Sequence, residues 1–209
     1  MGHFDLCRAC YLDLPNNANG CERCGLSMKI SDKGPFICNN CLTTPPYFDQ
    51  ARIPYLYQQA IPFIVTQLKY HQHVYHARLI ALLMLQSLMT QQNNLPNLLI
   101  PIPLHPKRYR ERGFNQALEI ARHLSKALGI ELAYSQCIRS RDTPHQTRLD
   151  AKQRIQNLQN AFTVQPALNV ESVAIIDDVL TTGSTANSLA KALKDHGVLR
   201  VEIWAFARA

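Results

Sequence analysis

The chain has 209 residues, 46% of them hydrophobic and 18% charged, which excludes a disordered polypeptide and allows one substantial core with a small appendage. Its 22 lysines and arginines outnumber 15 acids for a net charge of +7, favouring anionic partners such as phosphates, nucleotides or nucleic acid. The longest apolar run, Leu79 to Leu85, falls far short of the ~20 residues that span a bilayer, and no charged-then-apolar leader opens the chain, so a cytoplasmic protein is expected.

The first fifty residues carry three Cys-x-x-Cys pairs: Cys7 with Cys10, Cys21 with Cys24, and Cys38 with Cys41. Each such pair makes a tight knuckle that aims two thiolates at one ion, and two knuckles complete a tetrahedral Zn²⁺ site. The polar segments between them would bury almost no core, so metal would have to supply the folding free energy. A zinc ribbon is therefore predicted over 1–46. Gly25 follows its knuckle as such a turn prefers, which makes Cys21 and Cys24 the anchor pair. Cys38 and Cys41 are the favoured partners; Cys7 and Cys10 remain the alternative pair. No βαβ pattern surrounds the knuckles to support a redox role. Cys137, alone, reads as a small buried apolar residue.

Two prolines in Thr43-Thr44-Pro45-Pro46-Tyr47 mark a linker, and a second domain is predicted over 47–209. Ile61, Ile64, Val65 and Leu68 share one face of a predicted helix over 61–70, with Pro62 tolerable in its first turn. His71, His73 and His76 cluster just beyond, without spacing that pairs them with another ligand. Residues 77–89 are apolar nearly all round, as in a helix buried against a sheet. A strand is predicted over 97–103. Lys107, Arg108, Arg110 and Arg112 follow it as a basic turn, then a helix runs to Leu128 and ends at Gly129. Cations beyond a strand end suit a pyrophosphate at the edge of a crevice, or a solvated turn.

Arg139, Arg141, Arg148, Lys152 and Arg154 crowd the next polar stretch, in which 150–158 could form a helix. Strands are predicted over 162–164 and 201–206. Between them, Val173-Ala174-Ile175-Ile176 reads as a buried parallel strand that ends at two adjacent carboxylates, Asp177 and Asp178. Thr181-Thr182-Gly183-Ser184-Thr185 then forms a turn into a helix over 186–196. Free N–H groups and the helix dipole favour an anion there, Gly183 lets the backbone approach it, and the hydroxyls add donors. Two acids beside a phosphate make sense if the ligand also offers hydroxyls or a divalent cation. The alternative is an ordinary strand-turn-helix capped by Thr182 or Ser184.

This stretch resembles the signature of type I phosphoribosyltransferases, which bind 5-phosphoribosyl 1-pyrophosphate (PRPP), often as its Mg²⁺ complex. The resemblance implies that Asp177 and Asp178 hold the ribose hydroxyls and that Thr181, Thr182, Gly183, Ser184 and Thr185 hold the 5-phosphate. It also implies a mobile loop near 140–160 that closes over the pyrophosphate. The expected fold is α/β, an open parallel sheet flanked by helices with a small N-terminal zinc ribbon.

The order of the motifs narrows the family. Paired knuckles, Gln67-Leu68-Lys69-Tyr70, Ile100-Pro101-Ile102-Pro103-Leu104, Arg112-Gly113-Phe114-Asn115-Gln116, Asn160-Ala161-Phe162 and the Asp177-Asp178 signature together resemble the ComF family of competence proteins. One departure is the number of knuckles, since relatives often carry four or two. The resemblance implies a PRPP-binding protein of natural transformation and DNA uptake. It implies single-stranded DNA as a partner through Lys107, Arg108, Arg110, Arg112, Arg139 and Arg141, structural Zn²⁺, and other DNA-uptake proteins, at the inner membrane face or free in the cytoplasm. An active phosphoribosyltransferase on a base or amine is the alternative, although no segment reads as a hood for an acceptor. A zinc-ribbon adaptor with a degenerate site is weakened by the intact acids and threonine–glycine turn.

Overall fold

The computed structural model describes residues 6–28, 36–70, 75–89, 95–139, 161–165 and 168–209. Its centre is a parallel sheet in the order β1-β8-β7-β3-β4, formed by β1 (Gln50–Arg52), β8 (Arg200–Arg208), β7 (Ser172–Leu180), β3 (Leu98–Pro101) and β4 (Glu131–Leu132). A sixth strand, β2 (Tyr55–Leu56), pairs with the far end of β8, so one edge of the sheet is built in two pieces interrupted near Pro54. Proline has no ladder N–H to give and belongs at such an edge.

Both faces of the sheet are covered, which is why β3 and the first half of β7 are continuous apolar runs rather than alternating ones. On one face, Leu99, Ala174, Ile176 and Trp204 pack among α3 (Ile61–Tyr70), α4 (Tyr75–Met89) and α6 (Gln116–Leu128). On the other, Ile100, Val173, Ile175 and Ile203 pack against α7 (Ser184–Asp195). Each large aliphatic side chain buried fully in this way contributes about 1.5–3 kcal/mol. The helical face expected over 61–70 is buried in full, at Ile61, Ile64, Val65 and Leu68. α6 starts at an Asn115 cap and ends on a left-handed Gly129, as its sequence required.

Two expectations are corrected. The strand entering the signature does not stop at the acids: β7 runs on to Leu180. β3 leaves it after the pairing Ile102 N–H to Ile176 O, but β8 stays paired as far as Leu180–Arg208, so Asp177 and Asp178 lie on a strand with one neighbour lost. The basic turn is a helix, α5 (Pro106–Arg112), with His105 as its N-cap, Pro106 in its first turn and a left-handed Gly113 closing it. The strand predicted over 162–164 is present as β6 (Phe162–Val164), paired antiparallel with β5 (Cys137–Arg139) apart from the main sheet. Arg141 and the helix considered over 150–158 lie outside the described residues, as do His71 and His73.

The N-terminal residues are bound into this fold rather than hung from it. Beside the short helices α1 (Arg8–Leu12) and α2 (Asn39–Thr43), Leu14 is buried in the core with Tyr55, and Asn17 Nδ2 donates to the carbonyls of Gly25 and Ile53 at 2.8 and 3.2 Å. The Ala51 N–H donates to Glu22 O.

Candidate functional site

In chain order the connections from β3 to β4 and from β7 to β8 move outward in opposite directions, so the strand order reverses between β3 and β7. Ligands of open α/β sheets sit beyond the carboxyl ends of strands at such a switch point. Four elements end there. β7 brings the acids, β3 leads into α5, α6 begins with Gln116, and α3 ends with Lys69 and Tyr70.

Asp178 is 2% exposed, and both carboxylate oxygens are engaged. Oδ2 meets the Lys69 ammonium in an ion pair, and Oδ1 accepts from Gln116 Nε2 at 3.4 Å. The chain then extends outward: Arg112 Nη1 donates to Gln116 Oε1 at 2.6 Å, and its guanidinium lies over the Tyr70 ring. Asn115 fixes this corner by capping α6 and donating through Nδ2 to Ile102 O at 2.9 Å, which ties the helix start to the end of β3. Asp177 turns back on the chain and accepts the Asp178 N–H at 2.9 Å. Burial, and then the neighbouring Asp178 charge, push its carboxyl well above the ordinary range; Lys69 offsets this only in part.

The turn after β7 enters α7 without a side-chain cap. Gly183 is the N-cap of α7 in the left-handed conformation, φ 75°, and offers no side chain to cap the helix. An added Cβ would meet nothing within 4 Å, so glycine is needed for the conformation and not for want of room. Thr182 Oγ1 is 2.8 Å from Ser184 Oγ and accepts the Ser184 N–H, holding the turn. Arg208 supports it from below by donating to Leu180 O and Thr181 O. Thr181, Thr182 and Ser184 are exposed, while Gly183 and Thr185 are half-buried.

Of the cations expected around a pyrophosphate, Arg112 joins the acidic pair through Gln116, whereas on α5 Lys107 and Arg110 are exposed and Arg108 is half-buried. Arg139 lies over the Phe162 ring on the β5–β6 ribbon. Lys69 and Gln116 fall in the motifs Gln67-Leu68-Lys69-Tyr70 and Arg112-Gly113-Phe114-Asn115-Gln116, but the sequence assigns neither a site role. A lysine and a glutamine are ordinary on helices, and only the approach of two helix ends to β7 gives them a role.

The second candidate site is the cysteine cluster. The Sγ atoms of Cys21, Cys24, Cys38 and Cys41 lie within 4.8 Å of one another, a set that fits a tetrahedral ion such as Zn²⁺. Cys7 and Cys10 are outside it and exposed. Gly25 turns the knuckle at φ 68°, with its N–H on Cys21 O, and its bare Cα lies against Ile53. Burial would raise the Cys21 thiol, but N–H groups led by that of Cys38 hold it at about 7. Burial pushes Cys24 up to about 11 and raises Cys41. A divalent ion relieves that cost by taking the thiolates as ligands. For the Mg²⁺ expected with PRPP Asp178 fits poorly, because Lys69 and Gln116 already hold both of its oxygens.

Residues 115–209 match the phosphoribosyl transferase domain. The chain is 34% identical over 196 residues to competence protein F of Haemophilus influenzae, covering 90% of this chain and 84% of that one. It is 31% identical over 212 residues to the DNA utilization protein YhgH of Escherichia coli O157:H7, covering 100% and 92%. A shorter match, 29% over 110 residues, reaches 47% of competence protein ComFC of Streptococcus pneumoniae. With a parallel sheet flanked by helices, a phosphoribosyl transferase domain and a four-cysteine N-terminal cluster, the chain belongs to the ComF family of competence protein F.

Proposed function

We propose that this protein binds PRPP at the carboxyl edge of its sheet and serves DNA uptake, handling single-stranded DNA in the cytoplasm. One observation carries the sugar reading: Asp177, Asp178 and the glycine-capped start of α7 occupy a single strand-turn-helix at the switch point. In this reading the acids accept ribose hydroxyls, and the first turn of α7 takes the 5-phosphate with the hydroxyls of Thr181, Thr182, Ser184 and Thr185. Arg112 meets the pyrophosphate, and α5, through Lys107, Arg108 and Arg110, tracks a nucleic-acid backbone. Arg139, and Arg141 beyond the described residues, would extend that track. The names of the relatives, competence protein F and DNA utilization protein, support the DNA half. Residues 1–46 serve as a zinc-held unit braced on a phosphoribosyl unit at 47–209. Among the described residues no helix is long and apolar enough to cross a membrane.

Calorimetric titration with PRPP tests the first half. Saturable binding is expected, and Asp177→Asn with Asp178→Asn should weaken it about a hundredfold or more while the fold persists. Absence of saturable heat in the wild type would remove the reading. For the second half, anisotropy of labelled single-stranded DNA should show binding that falls steeply with salt and weakens when Arg108, Arg110 and Arg112 become alanine. A second reading, transfer of the ribosyl group to a base or amine, draws on the same intact acids and turn. Pyrophosphate release from PRPP with a panel of acceptors separates the two.

A further inference from the structure

The acidic pair already has its cation. The Lys69 side chain is 22% exposed and that of Asp178 3%, and the ammonium is ion-paired to Oδ2. Lys69 is not a surface residue that happens to lean inward. It sits in the last turn of α3, next to the fully buried Leu68, on a helix whose Ile61, Ile64 and Val65 are locked in the core. Burial alone would lower its pKa, but Asp178 and then Asp177 raise it, so the side chain is charged at neutral pH. The remaining oxygen, Oδ1, is held by Gln116, which Arg112 braces from its other side, bringing a second positive charge close to the pair.

A small divalent ion needs oxygens at about 2.0–2.1 Å in near-octahedral array. At Asp178 it would have to share one oxygen with an ammonium and take the other from an amide, with a guanidinium nearby. Like charges in so enclosed a place repel strongly. Lysine offers what the metal would otherwise offer: it neutralises one of two adjacent carboxylates that cannot both be ionised cheaply. Unlike a metal, it makes no demand on Asp177, which is half-buried and can accept from hydroxyl donors.

We infer that Lys69 is the built-in counter-cation of the acidic pair, standing where a divalent ion would sit, so that Asp178 takes no metal and sugar hydroxyls meet the pair without one. The ligand half of this inference rests on the sugar-phosphate reading; the metal half does not.

The test uses Mn²⁺ alone, followed by electron paramagnetic resonance on the full chain. Wild type should show no Mn²⁺ site that Asp178→Asn removes. Lys69→Met, which keeps the length of the stem and discards the charge, should gain such a site, and Lys69→Met with Asp178→Asn should lose it again. Lys69→Arg should stay free of Mn²⁺. Ribose 5-phosphate, which has no pyrophosphate to chelate metal, gives the second arm. Its affinity for wild type should be the same with and without added Mg²⁺, whereas Lys69→Met should bind about tenfold more weakly without the ion and recover when Mg²⁺ is added. A wild-type Mn²⁺ site abolished by Asp178→Asn overturns the inference, and so does a folded Lys69→Met that gains none. If Lys69→Met does not fold, Lys69→Gln, which also discards the charge, takes its place with the same expected gain and the same overturning outcome. Failure of both sugar phosphates to bind under every condition sinks the functional reading, while the Mn²⁺ arm still judges Lys69.

Discussion

Arg52 Nε and Glu202 Oε2 stand 2.9 Å apart where β1 joins β8, with side chains 10% and 2% exposed. They are diagonal neighbours on one face of the sheet, since Arg52 pairs with Trp204 and Gln50 with Glu202. Glu202 Oε2 also accepts the Trp204 indole N–H at 2.8 Å. The pair therefore joins the edge that supports the cysteine ribbon to the last strand of the main sheet.

Removing one member should hurt more than removing both. Arg52→Met leaves Glu202 buried without its close partner, and a loss of about 3 kcal/mol is expected. Adding Glu202→Gln should return much of it. Urea unfolding of the two single variants and the double variant measures the coupling; costs that simply add would refute it.

The thiols should react in a fixed order. Cys7 is exposed, and the Cys10 N–H caps its sulfur and lowers its pKa, so Cys7 should be alkylated first at neutral pH. Cys21, Cys24, Cys38 and Cys41 should be protected in zinc-loaded protein and become reactive once a chelator removes the metal, with loss of the ribbon's structure. Burial pushes the Cys137 thiol up to about 12, so it should react only when the main domain unfolds. Mass spectrometry after timed alkylation reads all three classes. Early labelling of Cys21 in the metal-loaded protein would show that the cluster holds no ion.

Asp177 should oppose folding at neutral pH. Its folded-state pKa lies above the ordinary 3.8, chiefly through burial and then through Asp178, so the folded chain binds this proton more tightly than the unfolded chain does. Its contribution to stability is therefore full below about pH 4 and is lost as pH rises through the raised value. Asp177→Asn should melt at a higher temperature than wild type near pH 7, with the gap closing in acid, as ligand binding is lost. A variant less stable than wild type at pH 7 would contradict this, and thermal melts over a pH series check it.

Much of this was readable from local pattern. The faces of α3 and α6, the Gly129 stop and the buried run of β7 follow from side-chain period and cap chemistry, which depend on neighbours in the chain. The knuckle pairs were legible too: Cys38 and Cys41 were the favoured partners, and their sulfurs lie with those of Cys21 and Cys24, although spacing alone fits Cys7–Cys10 as well. α5 was missed because its charges masked its boundaries, although Pro106 and Gly113 were signals at its ends. The extent of β7 was missed for another reason: a strand ends where its partners end, and β8 outlasts β3.

The sequence by itself determined that an acidic pair is followed by a hydroxyl–glycine turn and a helix, because those features are consecutive and obey short-range rules. Only the tertiary structure decided what faces the acids. Lys69, Gln116 and Arg112 lie far from Asp178 in the chain, and packing of α3 and α6 on one side of the sheet carries them to it. A contact between distant residues has no period to betray it; it exists only once the core has set the helices in place.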